Sequence, residues 1–256
     1  MDPLTPLRFV RRTTGFAAWT TGAVLGHRVM SYLDSDFATP WGKQRVVELW
    51  SHRMFPLFGL TLHRVSGEVP RGLGPYLVIA NHRSPLDILL GLHLVGGVVV
   101  SNQGVADMPV VGAAAKYTDT IFVDRTNQRS GAMAIRQMRR RLVEGRNVIV
   151  FPEGTTFRGD AVRPFKRGAF SAAKGLDVKV LPLGIAYPPG LEFVDESFGR
   201  HLLRTSVRPR TPVWVSLGEP AAAPKGPADI EALRARVQAL VDRAAAARDA
   251  RRSASS

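Results

Sequence analysis

The chain predicts an α/β fold, with a central, mostly parallel or mixed sheet flanked by helices and an N-terminal amphipathic helical hairpin in front of it. Three observations carry this. From about Val65 onward, short apolar runs alternate with helical segments, as strands covered by helices do. The first 62 residues hold two long helical stretches split by the turn-rich "DSDFATP". With 45% hydrophobic residues among 256, the chain can bury a core of ordinary size.

The elements follow in order. Residues 7–33 and 41–62 read as helices, the second led by Pro40. Val46, Val47, Trp50, Met54, Leu57 and Phe58 recur there at helical spacing and form one apolar face, with Arg45 and Arg53 around it. Such a hairpin either packs on its own domain or lies in a membrane surface with arginines at the headgroups. Strands are expected at 76–80, 96–101, 120–123, 147–151, 179–186 and 212–217, and helices near 85–94, 110–117, 130–144 and 164–175. At 228–243, Ile230, Leu233, Val237, Leu240 and Val241 line one helical stripe, after which "AAAARDARRSASS" reads as a disordered basic tail. The expected organisation is a hairpin at 1–62, an α/β domain at 63–220, and a C-terminal helix with its tail at 221–256.

A formal charge of +14 points to an anionic partner, whether nucleic acid, an anionic bilayer or a phosphorylated substrate. Half of that charge lies in residues 123–170, where eleven Lys and Arg face four Asp and Glu. The basic stretch 136–146 has no interleaved aromatic residues for base stacking, which argues against nucleic acid. There is no cysteine, so disulfides, thiolate nucleophiles and cysteine-ligated metals are excluded. No apolar run of about 18 residues or secretory leader is evident, and a cytoplasmic location is expected.

The segment "ANHRSPLDILL", 80–90, sets His82 and Asp87 just after an apolar run. Five positions apart on one helix they would lie roughly 140° apart, so the pair must straddle a strand-to-helix turn. Ser84 suits an N-cap and Pro85 a first helical position. Asp87 then has two readings, a capping-box residue reaching back to the Ser84 backbone or a carboxylate partner of His82. The carboxyl end of a strand in an α/β sheet is where sites are usually built. In "VIVFPEGTTF", 148–157, a buried strand runs into Glu153 and Gly154, and in "TIFVDRTN", 120–127, Arg125 follows another strand. A metal site of His82, Asp87 and Glu153 lacks a second histidine at ligand spacing, and no Walker A loop, G-x-G-x-x-G or G-x-S-x-G occurs.

Taken together, "NHRSPLD", "IFVDR", "FPEGT" and "VLPLGI" resemble, in order and spacing, the four blocks of the glycerolipid acyltransferase family, whose best-known members are lysophosphatidic acid acyltransferases. The resemblance covers roughly residues 76–187. Thr120 stands where the family usually has glycine, and Thr156 and Phe157 where it often has Arg-Ser. By this resemblance His82 is the general base that activates an acceptor hydroxyl against an acyl thioester, and Asp87 orients the imidazole. Arg125, Glu153, Gly154 and Thr155 would bind the acceptor, with Lys166 and Arg167 adding charge for phosphate or for a donor's phosphopantetheine arm, and Pro182 shaping the donor side. The implied protein is a peripheral or monotopic enzyme on the cytoplasmic face of an anionic membrane. It needs no cofactor and takes acyl-coenzyme A or acyl carrier protein as donor. Its acceptor would be 1-acyl-glycerol-3-phosphate or another lyso-lipid such as lyso-ornithine lipid. An inactive lipid-binding protein of the same fold is the remaining alternative.

Overall fold

A computed structural model describes residues 4–70, 74–108 and 110–254. Helices α1 (Thr5–Leu33) and α2 (Pro40–Leu57) open the chain. The Thr39 hydroxyl accepts from the Gly42 N–H at 3.0 Å and Pro40 fills the first turn, so α2 starts where the sequence implies. It ends sooner. The helix expected over 41–62 stops at Leu57, because Gly59 adopts φ 69°, the left-handed conformation that terminates helices. Leu60–Ser66 is strand β1, and the boundary drawn at 62 falls inside it.

Alternating elements follow close to expectation: β2 (Tyr76–Ala80), α3 (Leu86–Val95), β3 (Val98–Asn102), α4 (Val111–Tyr117), β4 (Ile121–Val123), α5 (Gln128–Val143) and β5 (Val148–Val150). The helix expected over 164–175 is only a 3₁₀ segment, Arg167–Ala173. The chain closes with β6 (Lys179–Ala186), α6 (Phe198–Ser206), β7 (Thr211–Leu217), β8 (Ala221–Ala222) and α7 (Pro227–Ser253). The tail expected to be disordered is helical to Ser253. Ala244 and Ala245 are buried beside Trp214, and Arg248 donates to both oxygens of Asp160 at 3.0 Å and to the Tyr187 carbonyl at 2.9 Å.

Among the described residues, eight strands form one mixed sheet in the order β1-β7-β6-β2-β5-β3-β4, with β8 against β6. Pairings are parallel except β6 with β7 and β6 with β8. Both faces are covered, which is why β2 is buried at all five positions. Its side chains alternate: Tyr76, Val78 and Ala80 pack with Val47 and Met54 of α2 and Leu89 and Leu90 of α3, while Leu77 and Ile79 pack with Met138 of α5 and Val237 of α7.

Helix α2 therefore belongs to the main core. Helix α1 is fastened beside it by the buried Arg12, whose guanidinium donates to the carbonyls of Leu57, Thr205, Ser206, Arg208 and Pro209 at 2.7–3.3 Å, satisfying C-terminal carbonyls of α2 and α6. The rest of α1 keeps Leu7, Val10, Leu25, Val29, Tyr32 and Leu33 exposed. Among the described residues no helix is long and apolar enough to cross a membrane.

Candidate active site

Strand β2 delivers the "NHRSPLD" segment to its carboxyl end. The side chain of Asn81 takes over the sheet ladder there: its Nδ2 donates to the Ile185 carbonyl and its Oδ1 accepts the Ile185 N–H, both at 2.8 Å. Held this way, the next residue turns out of the sheet. The His82 ring stacks on Phe151 at 4.2 Å between centroids, and its Nδ1 lies 2.8 Å from Asp87 Oδ2. An ionised carboxylate only accepts, so Nδ1 carries the proton and the lone pair sits on Nε2.

One oxygen of Asp87 serves both functions that the sequence left open. Oδ2 also accepts the backbone N–H of Arg83 at 2.6 Å and of Ser84 at 2.9 Å. Asp87 thus caps the turn and holds the imidazole at once, from a fully buried position in the first turn of α3.

His82 opens on a cavity of about 880 Å³. Phe16 of α1, Trp50 and Met54 of α2, Leu89 of α3 and Ile135 of α5 supply apolar wall, and Arg125, Gly154, Thr155 and Lys166 line it with His82. Gly154 has φ 82°, a left-handed conformation that favours glycine, and the end of the Lys166 side chain lies 2.6 Å from where a Cβ would stand. Arg125 is solvent-exposed, yet desolvation by the cavity wall draws its pKa below the ordinary value. Thr120, at the position where the family has glycine, lines the cavity, and the left-handed turn there falls one residue earlier, at Asp119 with φ 57°.

Glu153 is placed differently from expectation. It lies behind the wall, its Oε1 accepting the His82 N–H at 2.8 Å and Arg83 Nη1 at 2.9 Å, its Oε2 accepting the Arg163 N–H at 3.0 Å. A carboxylate so fully engaged braces the His82 loop and presents nothing to an acceptor. Pro182 does not line the cavity either; it sits within β6, opposite Ile79 of β2. Arg167 is exposed and also outside the cavity wall.

Three contributors escaped the sequence reading. Asn81 and Arg83 are inside the motif, but nothing in their spacing says that the first completes a ladder and the second, buried, bonds Glu153, Gly159 and Ala161. His201, on the unexpected α6, also lines the cavity. The signal for α6 was Ser197, which caps the Arg200 N–H.

A mixed α/β sheet that sets a His–Asp pair beside a largely apolar cavity lined also by Arg125 and Lys166 is an arrangement able to activate a hydroxyl for group transfer. Comparison with known proteins agrees. Residues 63–186 match the family model described as Acyltransferase. A 1-acyl-sn-glycerol-3-phosphate acyltransferase of Haemophilus influenzae is 31% identical over 141 residues, 54% of this chain and 59% of its own length. A lyso-ornithine lipid O-acyltransferase of Pseudomonas aeruginosa is 33% identical over 177 residues, 68% of this chain and 62% of its own. The crystal structure of the 1-acyl-sn-glycerophosphate acyltransferase PlsC from Thermotoga maritima superposes with a TM-score of 0.70 at 23% identity, covering 93% of this chain and 94% of that one, and shares its fold. The segment 63–186 therefore carries the pattern of the Acyltransferase family, and the relatives it matches are 1-acyl-sn-glycerol-3-phosphate and lyso-ornithine lipid acyltransferases. The chain spans about three-fifths of the length of the two curated relatives described here.

Proposed function

We propose that the protein is a membrane-associated O-acyltransferase that moves a fatty acyl chain from a thioester to the free hydroxyl of 1-acyl-glycerol-3-phosphate. The observation that carries this is the 2.8 Å contact of His82 Nδ1 with Asp87, which leaves Nε2 as the base beside an apolar cavity. The acceptor hydroxyl gives its proton to Nε2 as its oxygen attacks the thioester carbonyl, and Asp87 balances the imidazolium that forms. Collapse of the tetrahedral intermediate expels the thiolate, which recovers the proton. No enzyme nucleophile or cofactor is needed. The donor is acyl-coenzyme A or acyl carrier protein. Arg125 and Lys166 receive the acceptor's phosphate, Arg125 through its planar fork. Gly154 and Thr155 shape the adjoining wall.

The exposed apolar row of α1, flanked by Arg11 and Arg28, seats the protein on the cytoplasmic face of an anionic bilayer. A second acceptor, lyso-ornithine lipid, has its own support in the relatives carrying that name, including one from Rhizobium meliloti that is 34% identical over 145 residues.

The test offers purified protein a labelled acyl thioester and a panel of lyso-lipids, with products identified by mass. Phosphatidic acid is the expected product. Arg125→Ala should raise KM for the phosphate acceptor about tenfold or more while leaving KM for the donor unchanged, as the loss of a charge-assisted contact would. Absence of any acyl transfer from the wild type would leave a lipid-binding protein of the same fold.

A further inference from the structure

A second histidine–carboxylate pair stands behind the loop that carries His82. On α6, the buried His201 places Nδ1 2.8 Å from Glu196 Oε1, and its Nε2 lies 3.0 Å from the hydroxyl of Ser84. Arg204 closes the cluster from the same helix, donating to Glu196. The serine–histidine–carboxylate order is that of a nucleophilic triad. Its placement is not: Ser84 is fully buried, does not line the cavity, and its oxygen receives the Leu86 N–H at 3.3 Å. No substrate carbonyl can reach it.

Two groups face His201 Nδ1, Glu196 Oε1 at 2.8 Å and the donor Arg204 Nη2 at 3.1 Å, and the shorter contact, with the carboxylate, favours one proton arrangement. Ionised Glu196 can only accept, and Arg204 is itself engaged by that carboxylate, so in the favoured arrangement His201 carries its proton on Nδ1 and offers a lone pair at Nε2. The Ser84 hydroxyl donates to that lone pair and accepts from Leu86 on its other side. Burial lowers the pKa of His201 and Arg204 lowers that of Glu196, which favours this arrangement, neutral imidazole against carboxylate. With its side chain held at both ends, Ser84 holds its own N–H on Asp87 Oδ2 at 2.9 Å, the same oxygen that grips His82.

We propose that His201, oriented by Glu196, is a positioning residue for the catalytic pair, acting through Ser84 to hold Asp87 against His82. This rests on the assignment of His82 and Asp87 as the acyl-transfer dyad. Supporting shells of this kind keep a catalytic group within a fraction of an ångström of its working geometry.

Two substitutions divide the histidine's contacts. In His201→Asn the amide keeps a donor near the Nδ1 position for Glu196 but leaves the Ser84 hydroxyl without an acceptor. In His201→Gln the amide oxygen reaches the Nε2 position and restores that acceptor. Expected is a kcat loss of about 10–100-fold for His201→Asn and for Ser84→Ala, with KM for both substrates held within about twofold and His201→Gln retaining most of the turnover. The double variant Ser84→Ala/His201→Asn should be no slower than the slower single one, because both changes break one linkage. Amide exchange gives a readout independent of activity: the Arg83 and Ser84 N–H groups should exchange faster in His201→Asn and not in His201→Gln, at matched melting temperatures. Unchanged exchange at those two amides, or losses that multiply in the double variant, would overturn the proposal. A wild type that transfers no acyl group would overturn the proposed function instead, and the exchange measurement would still decide the role of His201.

Discussion

Asp87 concentrates three donors on a single buried oxygen, those of the His82 ring, the Arg83 amide and the Ser84 amide. In Asp87→Asn the side-chain oxygen can still accept the two amides, so the turn should survive with a stability loss of about 1 kcal/mol. The charge that balances an imidazolium is lost, and turnover should fall by about 10² or more, read from steady-state kinetics beside a thermal melt. Glu153 should behave in the opposite way. Glu153→Gln weakens a buried ion pair with Arg83 and should cost roughly 3 kcal/mol, seen in denaturant unfolding, without a selective rise in acceptor KM. A third residue lies away from the site. His93 stacks on Phe55 at 4.2 Å and its pKa falls from the ordinary 6.5 to about 4, chiefly through desolvation. Below pH 6.5 the unfolded chain takes up a proton that the folded one refuses, so stability is full above that value and declines as pH falls toward 4. His93→Phe keeps a ring on Phe55 and removes the titration, and its melting temperature should change less than that of the wild type across this window.

At the level of elements, β2 to β7 were legible because they are short, largely apolar runs between turn residues, whereas β1 carries Thr61, His63 and Arg64 and β8 is only two residues long. The four blocks were legible because their order is specific. Boundaries set by a single backbone conformation were not. Leu57, Phe58, Leu60 and Leu62 continue an apolar pattern that favours extending α2, and only the left-handed Gly59 ends it. The C-terminal arginines looked like a solvated tail, yet the alanines between them bury against Trp214. Glu153 looked like a ligand because a sequence shows which strand a carboxylate follows and not which buried arginine will meet it. The hairpin reading also sharpens: removing residues 1–62 would strip Val47, Met54 and Phe55 from the core, so deletion cannot isolate membrane binding. Point changes on α1 can. Leu25 and Val29 are 54% and 57% exposed, and Leu25→Glu/Val29→Glu should leave the melt within about 0.5 kcal/mol of the wild type. The same variant should release the protein from anionic vesicles at high salt in a sedimentation assay. Continued co-sedimentation there would mean that this face does not hold the bilayer.

The molecule as a whole joins the exposed apolar face of α1 to the cavity that holds His82. Phe16 of α1 and Trp50 and Met54 of α2 line the same cavity as His82, while other residues of α1 present the apolar row to the outside. Arg12 ties that helix to the end of α6. On the proposed seating, a lyso-lipid slides sideways from its leaflet into the chamber, and its tail exchanges one hydrocarbon surrounding for another without meeting water. Encounter is then two-dimensional. The quantity that sets how often the chamber fills is the number of acceptor molecules per lipid in the surface, and diluting the acceptor with inert lipid should slow the reaction even when its total amount in the tube is unchanged.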